Sequence, residues 1–449
     1  MSKQKIQLSD HFTYPRLLRF VLPAVGTMLF TSIYGIVDGL CVSNFVGKTA
    51  FAAVNLIMPL PQLLATIGFM LGTGGSAIVG ITLGEGDQKK ADRYFTLFLL
   101  AALVSVSVLA VLGIVFLRPI AVLLGAKGEL LDYAVRYGRI LMVSLPTFAL
   151  QNMFQSFFVT AEKPHLGFWF TVGAGCTNIV LDVLIVGVWG WGVEGAAIAT
   201  FISQLVGGVL PVFYFIDRSN SSRLHLCKTS FYSKVLRDAC INGSSELMTN
   251  LSMSLVNILY NYQLLRLAGE NGVAAYGVIM SAVFLFVAVF EGYAVGSAPI
   301  VSFHYGARNH TEVHNLYRKS LRLIAVVAVT LTLASMFIIP CVARIFVGYD
   351  AELLALTSRA FRLYALSFLI MGFNVYASSF FTALGDGVTS ALISFLRTLV
   401  FQVIAILLLP LLLGIDGIWL AVTAAELAAL AVSAAMLLTK DKVFHYRKV

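Results

Sequence analysis

Charge is the scarcest property of this sequence. Asp, Glu, Lys and Arg make up 12% of its 449 residues, where a soluble globular chain carries roughly 25%. Hydrophobic residues reach 59% and the mean hydropathy is +0.88, so the chain reads as an integral membrane protein. Cysteine is also sparse. Cys41, Cys176, Cys227, Cys240 and Cys341 are odd in number and include no CxxC, which excludes a disulfide framework or a cysteine zinc site. Catalytic signatures are missing too. There is no P-loop, no GxSxG and no large polar domain to hold a nucleotide, so ATP does not drive this protein by itself. "HTEVH" at His310 places Glu312 wrongly for a zinc protease. "GTGGSA" at Gly72 sits inside an apolar run with no strand before it, unlike a dinucleotide fingerprint. No metal or organic cofactor is expected. The net charge of +9 has no basic run interleaved with aromatic residues, which argues against nucleic acid as a partner. The residues up to Tyr14 are polar and the first apolar run is too long for an h-region, so no cleavable signal is expected.

Long apolar runs are what the chain does have. A spanning helix needs about 20 mostly apolar residues. Twelve such spans are expected: 17–43, 52–79, 94–117, 137–160, 165–187, 193–216, 239–265, 273–303, 319–341, 359–383, 387–410 and 415–438. Pro59, Pro61 and Pro299 mark expected kinks. With the N-terminus inside, Lys and Arg divide 21 against 9 between the two sides, with Arg397 left in a span. The inner set runs from Lys3 and Lys5 to Arg447 and Lys448. The positive-inside rule then places both termini in the cytoplasm.

The spans repeat. At an offset of 222, Gly47, Ala52, Ile57, Gly74 and Gly84 meet Gly269, Ala274, Ile279, Gly296 and Gly306. "GVEG" at Gly192 meets "GIDG" at Gly414, and "SFF" at Ser156 meets "SFF" at Ser379 one residue out of that register. The expected architecture is all-α, with twelve transmembrane helices in two pseudosymmetric lobes of six. Residues 1–217 form the first lobe, 218–238 a charged cytoplasmic linker and 239–449 the second lobe. An even number of spans per repeat makes the lobes parallel, the usual machine for alternating access around a central cavity. Small residues in "GTGGSA" and in "GYAVGSA" at Gly292 are expected to flank the opening between lobes. A packing role inside one lobe would use the same residues.

Ionisable residues inside spans are costly and therefore informative. They are Asp38, Asp182, Glu246, Glu291, Arg397 and Glu426. Counted along their spans, Asp38, Asp182 and Thr200 reach a similar depth in the outer half of the first lobe. Tyr34 with Asp38, and Asn178 with Asp182, are i,i+4 pairs on one helix face. Two carboxylates, an amide, a phenol and a hydroxyl can hold a proton or ligate a Na+ ion through Asp38, Asn178, Asp182 and Thr200. At offset 222 the equivalents of Asn178, Asp182 and Thr200 are Val400, Ile404 and Val422, so the fold itself does not demand the polar set. A network that only locks helices together would also use these residues. Glu246, Glu291 and Glu426 are secondary candidates that would equally cap a broken helix or pair with Arg397.

"LPAVGTMLFTSIYGIVDGLCVSNFVG" in the first span and "SAPIVSFHYGARN" closing the eighth resemble the multidrug and toxin extrusion (MATE) family. The polar set, with Gln155 near an amide position of the fourth span, is similar to the N-lobe cation site of its DinF-like prokaryotic branch. The resemblance implies a secondary transporter rather than an enzyme: an H+- or Na+-coupled antiporter, H+ being favoured. It would export a small organic, often cationic, drug from a prokaryotic inner membrane, and a monomer is expected. Another branch of the family uses acids on the seventh and tenth spans. Here Glu246 is on the seventh, but the nearest polar groups on the tenth are Asn374 and Tyr376, which counts against a C-lobe Na+ site. The alternative is a flippase for a lipid-linked oligosaccharide, which would line its cavity with several Lys or Arg to meet pyrophosphate.

Overall fold

The computed structural model describes residues 6–348 and 350–447; the side chains of Leu40, Val42, Ser43, Asn44, Lys48, Val342 and Ile345 are outside that description. Lys3, Lys5 and Lys448, used above for topology, also lie outside the described residues. All regular structure among the described residues is helical.

The first lobe contains α1 (Tyr14–Val46), α2 (Lys48–Ile57), α3 (Pro59–Gly84), α4 (Gln88–Leu123), α5 (Gly128–Thr160), α6 (Pro164–Leu181), α7 (Gly192–Gly208) and α8 (Leu210–Ile216). A bridging helix, α9 (Ser233–Asn242), leads into α10 (Ser244–Gly306). There follow α11 (His310–Val347), α12 (Ala351–Ala365), α13 (Phe368–Ala383), α14 (Gly387–Phe395), α15 (Phe401–Leu413), α16 (Ile415–Thr439) and the short α17 (Asp441–Phe444). Among the described residues nine stretches are long and apolar enough to cross a bilayer, and α12 with α13, bent by 46°, makes a tenth. The 63-residue α10 leaves helical geometry at Gly269 (φ 61°) and so holds two crossings. The 33-residue α5, more polar but long enough, completes twelve.

Met58, just before Pro59, keeps helical dihedrals, as does the backbone at Pro299. The chain turns from the seventh to the eighth span at Gly269, where the missing side chain permits a left-handed residue.

The repeat extends to the backbone. Left-handed residues recur in register as Gly47 and Gly269, Gly86 and Arg308, Glu162 and Gly385, and Gly192 and Gly414. Asp87 caps α4 and Asn309 caps α11, each accepting a backbone N–H three residues on. Beneath each lobe the chain tucks in a residue of the same repeat position, Leu224 in one and Tyr446 in the other, both fully buried.

The lobes meet tightly on the side that carries both chain ends. A Cβ on Gly84 would fall 2.0 Å from the Phe303 carbonyl oxygen, and one on Gly306 would fall 2.1 Å from that of Ile81. Gly292 and Gly296 likewise face Val25 and Val21 of α1 at contact distance. Not every small residue serves this seam: Gly72 and Gly75 pack inside the first lobe, against Met153 and Phe98. At the opposite end, α2 and α12 pack within their own lobes.

The N-terminal segment straps the closed side. Leu8 N–H donates to Glu162 Oε1 of the first lobe at 2.9 Å. Four residues on, Phe12 N–H donates to Glu312 Oε1 of the second lobe at 2.9 Å, while His11 Nδ1 lies 2.6 Å from Glu312 Oε2. Lys319 and Asn315 donate to the Phe12 carbonyl. The charged segment after α8 is similarly held, with Arg223 paired to Glu162 and His225 N–H bonded to Asp92.

Candidate functional site

Two polar sites interrupt the apolar interior. The first lies in the first lobe, between α1, α5, α6 and α7. Asp38 interacts with Asn178 of α6 and with Asp182 just after it. Asp182 opens a π-helical turn, Asp182–Val188. Such a turn widens the backbone and is frequent at functional positions. Asp182 and Asn178 are fully buried, and Asp38 is half-buried.

The polar atoms here are left without ordinary partners. Asp38 Oδ1, both carboxylate oxygens of Asp182, and both amide atoms of Asn178 are buried with no hydrogen bond. Buried polar groups are otherwise almost always satisfied. Two adjacent carboxylates in a low-dielectric interior require a counter-charge, either a proton on one or a cation between them. Their oxygen-rich surroundings fit both ions.

Not all the expected members touch the pair directly. Thr200 bonds its own helix at the Ala196 carbonyl, and the nearby Tyr137 hydroxyl, buried with no hydrogen bond, feels both carboxylates. Tyr34 lies beside Asp38 and meets Gln151. Gln155, one turn beyond Gln151, has a buried, unbonded Oε1 but is not among the groups acting on either carboxylate. Tyr137 and Gln151 were therefore missed from sequence. Tyr137 opens the fourth span expected from sequence, whereas Thr200 lies seven residues into the sixth, so depth along the spans does not bring Tyr137 to the pair.

The second site is a narrow cavity between the lobes, about 80 Å3 in volume. Met28, Phe69 and Thr73 line it from the first lobe, and Glu246, Glu291 and Arg397 from the second. Hydroxyls of Ser245, Thr249, Ser378 and Ser394 complete its polar wall. Arg397 stands in a second π-helical turn, Leu396–Val400, on the span equivalent to that of Asp182. Its Nε donates to Glu426 Oε1 at 2.8 Å. Glu426 Oε2 accepts from Asn374 Nδ2 at 2.7 Å, and Asn374 Oδ1 accepts from Ser433 at 2.9 Å. Glu426 is thus a buried, satisfied partner of Arg397. Glu246 and Glu291 face the cavity and feel Arg397 across it.

A family model described as MatE matches residues 23–184 and again 247–408. The multidrug export protein MepA of Staphylococcus saprophyticus is 22% identical over 433 residues, covering 95% of this chain and 94% of that protein. MepA of Staphylococcus aureus (strain MRSA252) is 20% identical, covering 96% and 95%. A solved structure described as the outward-facing conformation of a multidrug resistance MATE family transporter of the MOP superfamily superposes with a TM-score of 0.91 at 23% identity, covering all of both chains. A MOP superfamily transporter from Pyrococcus furiosus, described as having a binding pocket of reverse polarity, superposes with a TM-score of 0.90 at 22% identity, again over both full chains.

Proposed function

This chain is a member of the MatE family, and from that premise we propose that it is a multidrug efflux transporter working as an ion-coupled antiporter. H+ or Na+ enters from outside, and a small organic molecule, typically positively charged, leaves. The chain works as a monomer in a prokaryotic inner membrane with both termini cytoplasmic, the lobes being residues 1–217 and 239–449 joined through 218–238. The lobe seam then closes the cytoplasmic side.

One observation carries the coupling: the orphaned carboxylates of Asp38 and Asp182, with Asn178, in one lobe only. The equivalents of Asn178, Asp182 and Thr200 are the apolar Val400, Ile404 and Val422, and that of Asp38 is Tyr260, so the repeated fold does not itself demand a costly buried acid pair. Loading a proton or Na+ changes the charge of this site and biases the lobe arrangement. An ion shifts such an equilibrium only through different affinity for the two arrangements. Of the two ions, H+ is the reading we favour, because one proton suffices to relieve the like-charge pair. Tyr34, Tyr137 and Thr200 support the site, and Glu246 and Glu291 receive the substrate. The flippase alternative is disfavoured, since among the described residues Arg397 is the one basic residue lining the cavity.

The test is flux of a fluorescent cation in proteoliposomes under separately imposed pH and Na+ gradients. A pH gradient alone should drive export. Full transport by a Na+ gradient at equal pH would overturn the preference for H+.

A further inference from the structure

We propose that the end of α1 nearest the chain termini carries a binding site for an anionic phospholipid, held by Arg19 and seated across the seam between the lobes. The site is separate from both polar sites described above. It does not depend on which ion or substrate the protein carries.

A groove of about 450 Å3 runs between α1 and α6. Arg19, Leu22, Pro23 and Gly26 line it from one face of α1. His165 and Phe168 line it from α6. Gly26 lets the two helices close around its inner end, since a Cβ there would fall 3.0 Å from the Phe168 ring. Arg19 and Gly26 are seven residues apart, so the groove penetrates about 10 Å along the helix. That depth lies inside the ~15 Å of one leaflet's hydrocarbon. Trp169, next to Phe168 and 64% exposed, suits the membrane–water boundary at this level.

The mouth of the groove carries unused positive charge. Arg19 is exposed and, among the described residues, has no hydrogen bond or ion pair. Other basic residues around this end of α1 are occupied: Arg16 donates to the His11 carbonyl, Lys319 to that of Phe12, and Arg322 to the Tyr14 hydroxyl. Among the described residues no carboxylate lines the groove. Glu162, three residues before His165, is already held by Leu8 N–H and Arg223. A phosphodiester accepts readily from a guanidinium fork, and His165 has an N–H donor in either tautomer. A headgroup with its own ammonium would leave that cation without a partner. The site therefore selects a lipid of the phosphatidylglycerol type over phosphatidylcholine.

The apolar surface below Arg19 fits two chains. Leu18 and Leu22 form a ridge that lines this groove and a second one on its other flank. The second groove, about 90 Å3, lies between α1 and Phe290, Tyr293, Ile324 and Val327 of α10 and α11. A lipid anchored at Arg19 lays one acyl chain in each. Because the second groove is shared between lobes, the bound lipid bridges the seam and favours its closed arrangement.

Native mass spectrometry of the full chain released from detergent counts bound lipids and yields an apparent affinity for each. Phosphatidylglycerol and phosphatidylcholine with identical acyl chains are compared. In wild type the first phosphatidylglycerol should bind about tenfold tighter. Arg19→Gln, which has no protein partner to lose, should abolish that preference and leave phosphatidylcholine unchanged. Arg318→Gln, exposed on the same side, should keep it. Leu22→Trp fills the groove below the arginine and should weaken phosphatidylglycerol as well. Glycerol 3-phosphate, a headgroup without chains, should not displace the lipid. Equal losses in Arg19→Gln and Arg318→Gln, no loss in Arg19→Gln or Leu22→Trp, or displacement by glycerol 3-phosphate overturns the proposal. Bound phosphatidylglycerol should also slow thiol labelling of an Ile81→Cys probe at the seam, and unchanged labelling overturns the bridge.

Discussion

Glu426→Ala removes the one carboxylate that holds the stem of Arg397. The structure sets the size of the effect. The 2.8 Å ion pair sits against a side chain only 2% exposed, and Asn374 Nδ2 loses an acceptor as well. Breaking a buried pair from one side costs roughly 3–5 kcal/mol, because the remaining charge is stranded. Unfolding entropy grows with chain length, so for a chain this long each kcal/mol moves the midpoint by roughly 1 °C, and the expected fall is roughly 3–5 °C. The five free cysteines allow this to be followed in detergent with a thiol-reactive dye whose fluorescence rises as they are uncovered. The double change Glu426→Met with Arg397→Met removes both charges together and should recover most of the loss, since apolar replacement of a whole buried pair is close to neutral. A single Glu426→Ala that melts with wild type, or a double variant no better than the single, would refute the buried pair.

Three further outcomes are expected. Gly306→Val would push a side chain into the Ile81 carbonyl, 2.1 Å from the Cβ position; spin-label distances between α3 and α10 should lengthen on the closed side, and unchanged distances would contradict the seam. A chain beginning at Thr13 loses the contacts to both Glu162 and Glu312 and should show faster thiol labelling of an Ile81→Cys probe than the full chain; equal rates would show that the strap does not hold the lobes. At Asp386, burial raises the carboxyl, but Lys440 at 2.8 Å and the hydroxyl and N–H of Thr389 outweigh it and hold it below its ordinary value. Its hold on the C-terminal tail should be complete above the unfolded value near ~3.9 and be lost as pH falls through the lower folded value, so trypsin at neutral pH should cut at Lys442 faster in Asp386→Asn than in wild type.

Hydropathy made the twelve spans legible because the bilayer imposes a single length on all of them. Repeat register made the lobes legible, and it extends to conformation: the glycines aligned as Gly47 with Gly269 and Gly192 with Gly414 share left-handed backbones. In the site, i,i+4 spacing and depth identified Asp38, Asn178 and Asp182, since both follow from helix geometry. The Tyr137 hydroxyl and the Gln151 amide come from a different helix, and only tertiary packing brings them near. The same holds for Asn374 and Ser433: their role depends on Glu426, 52 residues further along the chain from Asn374. The strap was invisible because Leu8 and Phe12 are ordinary apolar residues in a short polar lead-in.

The account stands most directly on the charge state of Asp38. Asp38→Asn is nearly isosteric and removes the ionisable group from the orphaned pair. The variant should reconstitute and melt close to wild type, and counterflow of a fluorescent cation without any gradient should persist, because the proposed substrate site is the other one. Export driven by an imposed pH or Na+ gradient should fall to the level of protein-free vesicles. Gradient-driven export at the wild-type rate in Asp38→Asn would contradict the assignment of ion coupling to this carboxylate.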